Sequence, residues 1–159
     1  MATIALTLEE IEELSREVLL FNGCDDLNTD ALVRTIVTAE RDGSASHGLF
    51  RLPGYVASLR SGKVNGKARP SVDNKLKAVV KVHGDNGYAP IAIEAGVPVL
   101  AAAAKLLGVA VMTMTNTYHF AALWPEVEAL AEEGLIGLAC VCTQPFVAPA
   151  GGTEALFGT

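Results

Sequence analysis

"LKAVVKVHG", residues 76–84, is the stretch that decides the fold class. Apolar residues occupy every second position over most of its length, which is the period of a β-strand. An alanine-rich segment at 88–108 then predicts a helix, and "VAVMTMTN" at 109–116 predicts a second strand. A helix at 120–134 and a strand at 135–143 continue the series. The order β-α-β-α-β predicts an α/β (α+β) fold in which helices cover a sheet.

The segment before this layer is predicted to be helical. Thr7-Leu8-Glu9-Glu10 has the capping-box pattern, which opens a first helix. Either Asn28 or Thr29 can cap a second helix, which Asp42-Gly43 ends. A third helix is predicted from Leu49 to Leu59.

A loop rich in Gly, Lys, Pro and Asn follows at 60–74 and is the predicted domain boundary. It would separate an N-terminal helical region, residues 1–72, from an α/β region, residues 73–159.

Composition limits the partners that the chain can have. The formal net charge is −6 and the pI about 5.0, which argues against a surface that neutralises nucleic-acid phosphates. The N-terminus lacks the basic region of a signal peptide, and the apolar run at 97–114 is interrupted by Lys105 and Gly108. Three cysteines without a framework pattern indicate a reducing compartment and no metal site. We therefore expect a cytoplasmic protein that binds neither membrane, nucleic acid nor metal.

"DGSASHGLFRLPGY", residues 42–55, holds the first candidate chemistry. His47 titrates near neutrality and can act as a general acid or base, and Ser46 can hydrogen-bond it or a ligand. Arg51 carries a planar fork that suits a carboxylate, and it shares a face with His47 if the segment is helical. Such a pair would serve an enzyme acting on a small 2-oxo or 2-imino acid. In the alternative, His47 caps a helix and Arg51 is an ordinary surface residue.

His119 is the second candidate, because it follows a predicted strand and precedes a helix. Ligands gather at such strand-to-helix turns, where backbone N–H groups are available. The alternative is a histidine that only caps the helix. His83 is predicted to end its strand ahead of a turn at Asp85-Asn86-Gly87.

Four stretches together resemble the malate/L-lactate dehydrogenase family, whose fold is unrelated to the Rossmann dehydrogenases. They are "SHGLFRLPGYVASLRSGKVN" (46–65), "VHGDNGYAP" (82–90), "NTYHFAALWPEVEALAEEGLIGLACV" (116–141) and "VAPAGGTEALFGT" (147–159). The resemblance implies an NAD(P)-dependent oxidoreductase with Ser46 and His47 in its catalytic group and Arg51 on the substrate carboxylate. His119 competes with His47 for the acid/base role. The resemblance also implies cofactor contacts at His119, Phe120, Ala121, Ala122, Leu123 and Thr143, and a substrate contact at Thr159.

Within that family, "HFAALWPEVE" and "APAGG" are most similar to the ketimine reductases, which reduce Δ1-piperideine-2-carboxylate and Δ1-pyrroline-2-carboxylate to pipecolate and proline. NADPH is the expected cofactor, with NADH as the alternative. A malate, lactate or ureidoglycolate dehydrogenase is the second interpretation, and a non-catalytic subunit is the third.

Members of the family are about twice as long as this chain, and Gly158-Thr159 falls inside a motif that continues in them. We therefore expect this chain to be the N-terminal part of a split or processed enzyme. A second polypeptide would supply an aspartate for the Ser-His group, and the assembled enzyme is expected to be a homodimer.

Overall fold

A computed structural model describes residues 4–118, 121–141 and 144–158. Within these residues the chain alternates helices and strands after a helical first third. The elements are α1 (Leu8–Phe21), α2 (Asp26–Arg41), a 3-10 turn (Leu49–Arg51), α3 (Leu52–Arg60), β1 (Ser71–Asp73), β2 (Val79–Tyr88), α4 (Ala89–Leu107), β3 (Val111–Tyr118) and α5 (Trp124–Glu132).

The capping box predicted at the start of α1 is present. The Glu10 amide donates to the Thr7 hydroxyl at 3.2 Å, and the Thr7 amide donates to the Glu10 carboxylate at 2.7 Å. The prediction for α2 is wrong, because its cap is Asp25. The Asn28 amide donates to Asp25 Oδ1 at 3.0 Å, while Asn28 and Thr29 are themselves buried in the first turns of the helix. An acceptor three residues before a free amide is what the cap requires, and Asp25 fills that place.

The sheet has the strand order β1-β2-β3 among the described residues. β1 is antiparallel to β2, with Ser71 opposite His83. The sequence did not predict β1, because three residues are too few to show a period and they lie in the loop at 60–74. β2 and β3 are parallel, with Val79 opposite Val111, and α4 connects them.

β2 runs further than predicted. Instead of ending at His83, it continues to Tyr88 through a register shift between His83 and Gly87. Asp85 and Asn86 have positive φ angles of 52° and 56° there. Asx residues tolerate this conformation, so the turn chemistry read from the sequence serves a bulge inside the strand.

The strand predicted at 135–143 is not formed by residues 135–141, which have no regular structure, and 142–143 lie outside the described residues. A strand needs a neighbour for its backbone groups. Among the described residues, β3 pairs only with β2, and the segment 135–141 lies across a cleft from it. The segment 144–158, predicted as a loop, contains one antiparallel bridge between Val147 and Phe157.

Two apolar clusters form the core. The first joins the helical region to the end of β2, and its members include Leu19, Leu32, Ile36, Tyr55 and Tyr88. The second lies between β2 and α4, and its members are Val80, Val82, Ala92, Leu100 and Ala103. By length and composition α4 could also cross a membrane, which is a property shared by buried core helices.

The carboxyl ends of β2 and β3 point toward the helical region. Tyr88, at the end of β2, is buried, and its hydroxyl donates to the Tyr55 carbonyl of α3 at 2.7 Å. The two rings meet edge to face at 5.1 Å. Tyr118, at the end of β3, packs against the same cluster. Segments that follow these strands are therefore delivered next to α2 and α3.

Candidate active site

The loop that follows α2 carries the Ser-His pair. The Ser44 amide donates to the Ala39 carbonyl at 2.8 Å, and the His47 amide donates to the Ser44 carbonyl at 2.8 Å. The Leu49 amide donates to Glu40 Oε1 at 2.7 Å, which ties the far side of the loop back to α2. Gly48 allows this contact, because a Cβ there would overlap the Glu40 carboxylate. His47 thus lies in a turn ahead of the 3-10 segment, and not on one helix with Arg51.

Two hydroxyls hold the His47 ring. Its Nδ1 lies 3.0 Å from Ser46 Oγ and 3.2 Å from Ser44 Oγ. A hydroxyl can donate to a neutral ring nitrogen and accept from a protonated one, so both protonation states of the imidazole keep a partner. The sequence predicted Ser46 as a hydrogen-bond partner of the ring, and the structure shows Ser44 as a second partner.

Trp124, the first residue of α5, forms another wall of the site. Its ring meets the His47 ring edge to face, with centroids 6.1 Å apart and planes at 78°. Its Nε1 donates to Asp42 Oδ2 at 3.0 Å, and Arg41 Nε donates to Asp42 Oδ1 at 2.8 Å. The hydrogen bond from Arg41, joined by the one from Trp124, holds the pKa of Asp42 below its usual value. The carboxylate is therefore charged at neutral pH and anchors the indole.

Arg51 lies beside the same loop. Its Nε donates to the Ser46 carbonyl at 2.9 Å, which places its guanidinium next to the Ser-His pair. Among the described residues no carboxylate pairs with Arg51. Burial raises the pKa of the neighbouring Tyr55 to about 12, and the charge of Arg51 acts in the opposite direction. A fixed cation beside a histidine suits a small carboxylate substrate.

The predicted cofactor residues after β3 divide between two grooves. Ala121 and Ala122 line a groove of about 290 Å³ between α2, α4 and α5, and Ala122 is buried. Leu123 lines a different cleft of about 510 Å³, bounded by β3, α4, α5 and residues 134–141. Trp124 comes next in the chain and contacts His47, so this segment and the Ser-His loop meet at the start of α5.

Four of the predicted site residues lie outside the described residues. They are His119, Phe120, Thr143 and Thr159.

The sequence from residue 6 to residue 159 matches the family model described as malate/L-lactate dehydrogenase. The chain belongs to this family. A Delta(1)-pyrroline-2-carboxylate reductase of Ancylobacter novellus is 44% identical over 156 residues, which are 98% of this chain and 46% of that protein. A Delta(1)-pyrroline-2-carboxylate reductase of Burkholderia ambifaria is 41% identical over 159 residues, which are 100% of this chain and 47% of that protein.

A solved structure agrees with the fold. The crystal structure of delta1-piperideine-2-carboxylate reductase from Pseudomonas syringae pv. tomato is 41% identical, with a TM-score of 0.78. The superposition covers 83% of this chain and 40% of that one. The chain thus spans about half the length of the curated relatives it matches.

The sequence analysis did not identify three residues that lie around His47, namely Ser44, Asp42 and Trp124. Ser44 lies within the stretch at 42–55, and its spacing of three residues from His47 is that of a turn, so it could have been found. The pattern around Asp42 indicates only the end of a helix. Trp124 lies 82 residues beyond Asp42, and no local pattern connects them.

Proposed function

We propose that this chain is the N-terminal part of an NAD(P)H-dependent reductase of cyclic 2-imino acids. The substrates would be Δ1-pyrroline-2-carboxylate and Δ1-piperideine-2-carboxylate, and the products proline and pipecolate. The observation that carries the proposal is the contact of Arg51 with the Ser46 carbonyl, since it puts a carboxylate-binding group beside His47. The names of the relatives that match the whole chain support this substrate class.

The roles follow from the chemistry of each group. Arg51 would hold the C1 carboxylate with the guanidinium nitrogens that do not contact Ser46, which orients the C2=N bond. His47 would give a proton to the imine nitrogen, and the hydroxyls of Ser44 and Ser46 would keep a hydrogen bond to its Nδ1 throughout. His119 remains a competitor for the acid/base role, and Thr159 is the proposed further substrate contact.

A nicotinamide cofactor would supply the hydride that reaches C2. We propose NADPH, with NADH as the alternative, and contacts at residues 119–123 and Thr143. The small residue Ala121 is half-buried beside an open apolar groove, which suits a flat ring. Ala122 is buried, so only its backbone would take part, and Leu123 faces the other cleft.

A second polypeptide would complete the enzyme. The outer edge of β3 is unpaired among the described residues, and the adjoining cleft is mainly apolar. Large apolar side chains are exposed in the segments that follow α5, namely Ile136, Leu138, Phe146, Leu156 and Phe157. Exposed apolar side chains and an open sheet edge are both typical of surfaces that another chain covers.

On this proposal, residues 1–72 contribute the Ser-His pair and Arg51, and residues 73–159 contribute part of the cofactor site. The assembled protein would be a cytoplasmic homodimer.

Denaturing mass spectrometry of material purified from its source tests the assembly. A second species of about the size of the part of the curated relatives that this chain does not cover is expected. One species of 159 residues with full reductase activity would refute the need for a partner.

Oxidation of NADPH by the purified assembly tests the activity, with each cyclic imine supplied beside a 2-oxo acid. His47→Ala should lower kcat by roughly 10² to 10⁴, the usual contribution of general acid catalysis, and should leave NADPH binding intact. His83→Ala is the matched control, because His83 lies on β2 and is exposed. An equal loss of cofactor affinity and turnover would assign His47 to structure.

Arg51→Lys tests the carboxylate site. An ammonium cannot reproduce a bidentate contact, so KM should rise about tenfold or more. Arg60→Lys is the control, because Arg60 also donates from Nε to a nearby oxygen, that of Asn22, but lies at the other end of α3. An unchanged KM in Arg51→Lys would remove Arg51 from the substrate site.

A 2-hydroxyacid dehydrogenase is the second candidate, because the family model is that of malate/L-lactate dehydrogenase. Faster reduction of a 2-oxo acid than of either imine would favour it. A complete assembly that neither perturbs NADPH fluorescence nor turns over any of these substrates would instead be a structural or regulatory subunit.

A further inference from the structure

The environment of His47 includes a residue that its own loop does not supply. Trp124 comes from the first turn of α5, and its indole meets the imidazole edge to face with 6.1 Å between centroids. Both serine hydroxyls contact the same ring nitrogen, Nδ1. Hydrogen bonds at one nitrogen act on that edge of the ring, and an indole packed against the ring restricts its tilt as well.

The indole is itself fixed from the opposite side. Its Nε1 donates to Asp42 Oδ2 at 3.0 Å, and Arg41 holds the same carboxylate through Nε and Nη2. Asp42 is the C-cap residue of α2, so the indole is tied to the point where the His47 loop leaves the helix. A single carboxylate therefore connects the start of α5 to the base of that loop.

Several other charged groups border this cluster. Glu40 on α2 accepts from the Leu49 amide, Arg51 donates to the Ser46 carbonyl, and Glu128 of α5 lies 4.0 Å from Arg41. Each of them is engaged with a group other than the indole. Among the described residues, Asp42 is therefore the charged residue that accepts a hydrogen bond from Trp124.

We propose that Trp124, anchored by Asp42, is a positioning residue that fixes the plane of the His47 imidazole. The inference deepens the proposed function, since it assumes that His47 meets the substrate. Edge-to-face contacts between aromatic rings are favourable, so the indole would restrict movement of the imidazole.

The contact can be tested on the full chain without cofactor or substrate, because Trp124 is the single tryptophan. An imidazolium in ring contact quenches indole emission, so fluorescence should fall as the pH is lowered through the histidine range, about pH 8 to 5. This fall of fluorescence with pH is called the pH step. His47→Gln should abolish the pH step, and His83→Gln, the control, should leave it unchanged. A step that survives in His47→Gln, or that disappears in His119→Gln alone, would overturn the proposal.

Two variants of the anchor separate positioning from mere packing. Asp42→Ala removes the acceptor for Nε1 and should weaken or abolish the pH step, while Asp42→Asn retains an acceptor oxygen and should restore most of it. Far-ultraviolet circular dichroism of both variants checks that α2 and α5 remain folded. An unchanged step in folded Asp42→Ala would show that Asp42 does not anchor the indole. None of these readouts depends on turnover, so a failed clamp and a failed reductase assignment can be told apart.

Discussion

Gly48 is the position at which a single methyl group should disturb the Ser-His loop most directly. The carboxylate of Glu40 lies against this glycine and accepts the Leu49 amide at 2.7 Å. A Cβ at position 48 would lie 2.6 Å from Glu40 Cδ and 2.7 Å from its Cγ. These distances are well inside van der Waals contact, so Gly48→Ala must displace the Glu40 side chain.

The cost can be estimated from what the displaced side chain gives up. A hydrogen bond to a charged acceptor contributes about 1.5–3 kcal/mol, and the half-buried setting favours about 2 kcal/mol. For a chain of this size the melting temperature should fall by about 4–8 °C. Urea unfolding followed by circular dichroism gives the free energy directly. Gly54→Ala is the matched control, because nothing lies within 4 Å of its site in α3, and it should stabilise by up to about 1 kcal/mol.

A double-mutant cycle isolates the cause. Glu40→Ala alone should cost about 2 kcal/mol, since it removes the same hydrogen bond. In that background, Gly48→Ala should cost less than about 0.5 kcal/mol, because the obstructing carboxylate is gone. The coupling energy would then be about 1.5–2 kcal/mol, within the range for residues in contact. Equal costs of Gly48→Ala in both backgrounds would refute the steric argument.

Two further predictions concern titratable groups near α1 and α2. Asp25→Ala should destabilise by about 1 kcal/mol, as expected for loss of an N-cap. Partial burial acts to raise the pKa of Asp25, but hydrogen bonds from the first turn of α2 and from Arg69 outweigh it and lower the pKa below 3.8. The folded-state pKa is thus depressed, so this stability is present above about pH 4 and is lost at lower pH. If the free energy of unfolding fell equally below about pH 4 in the wild type and in Asp25→Ala, this prediction would be contradicted. Burial raises the pKa of Cys24 from 9.0 to about 11, which lowers its thiolate fraction about 100-fold. A thiol reagent should therefore modify Cys24 only when the protein unfolds. The measurement uses a Cys140→Ala/Cys142→Ala variant, in which Cys24 is the remaining thiol. Labelling at the rate of an exposed thiol in the folded protein would show that Cys24 is accessible.

The regular elements could be predicted where the sequence repeats a local pattern. The capping box at Thr7 and the alternation at 76–84 depend on neighbours in the chain, and both elements are present. The strand at 135–143 has a suitable local composition, but a strand also requires a paired neighbour, and 135–141 have none among the described residues. Conversely, Ser71–Asp73 has no strand pattern and becomes a strand because β2 lies beside it.

The candidate site divides in the same way. Ser46, His47 and Arg51 lie within six residues of one another, so their proximity follows from the sequence alone. Contacts between Trp124 and the loop after α2 depend on the path of the chain through the sheet and α4. No spacing rule predicts such a contact, and tryptophan beside proline in a helix start is equally consistent with simple packing.

The position of the site follows from how the sheet meets the helical region. β2 and β3 are parallel, so the segments that follow them leave from the same end of the sheet, next to the Tyr55–Tyr88 contact. Open α/β sheets generally bind ligands at this carboxyl end of their strands. Arg34 on α2 makes a two-oxygen contact with Glu94 on α4, at 2.8 and 2.7 Å. Both side chains are partly exposed, so the pair adds little stability, and the orientation of α2 against α4 is set mainly by their packing. His47 lies in the loop after α2, and Trp124 lies at the start of α5, which follows β3. The orientation of α2 therefore decides whether the imidazole and the indole are in contact.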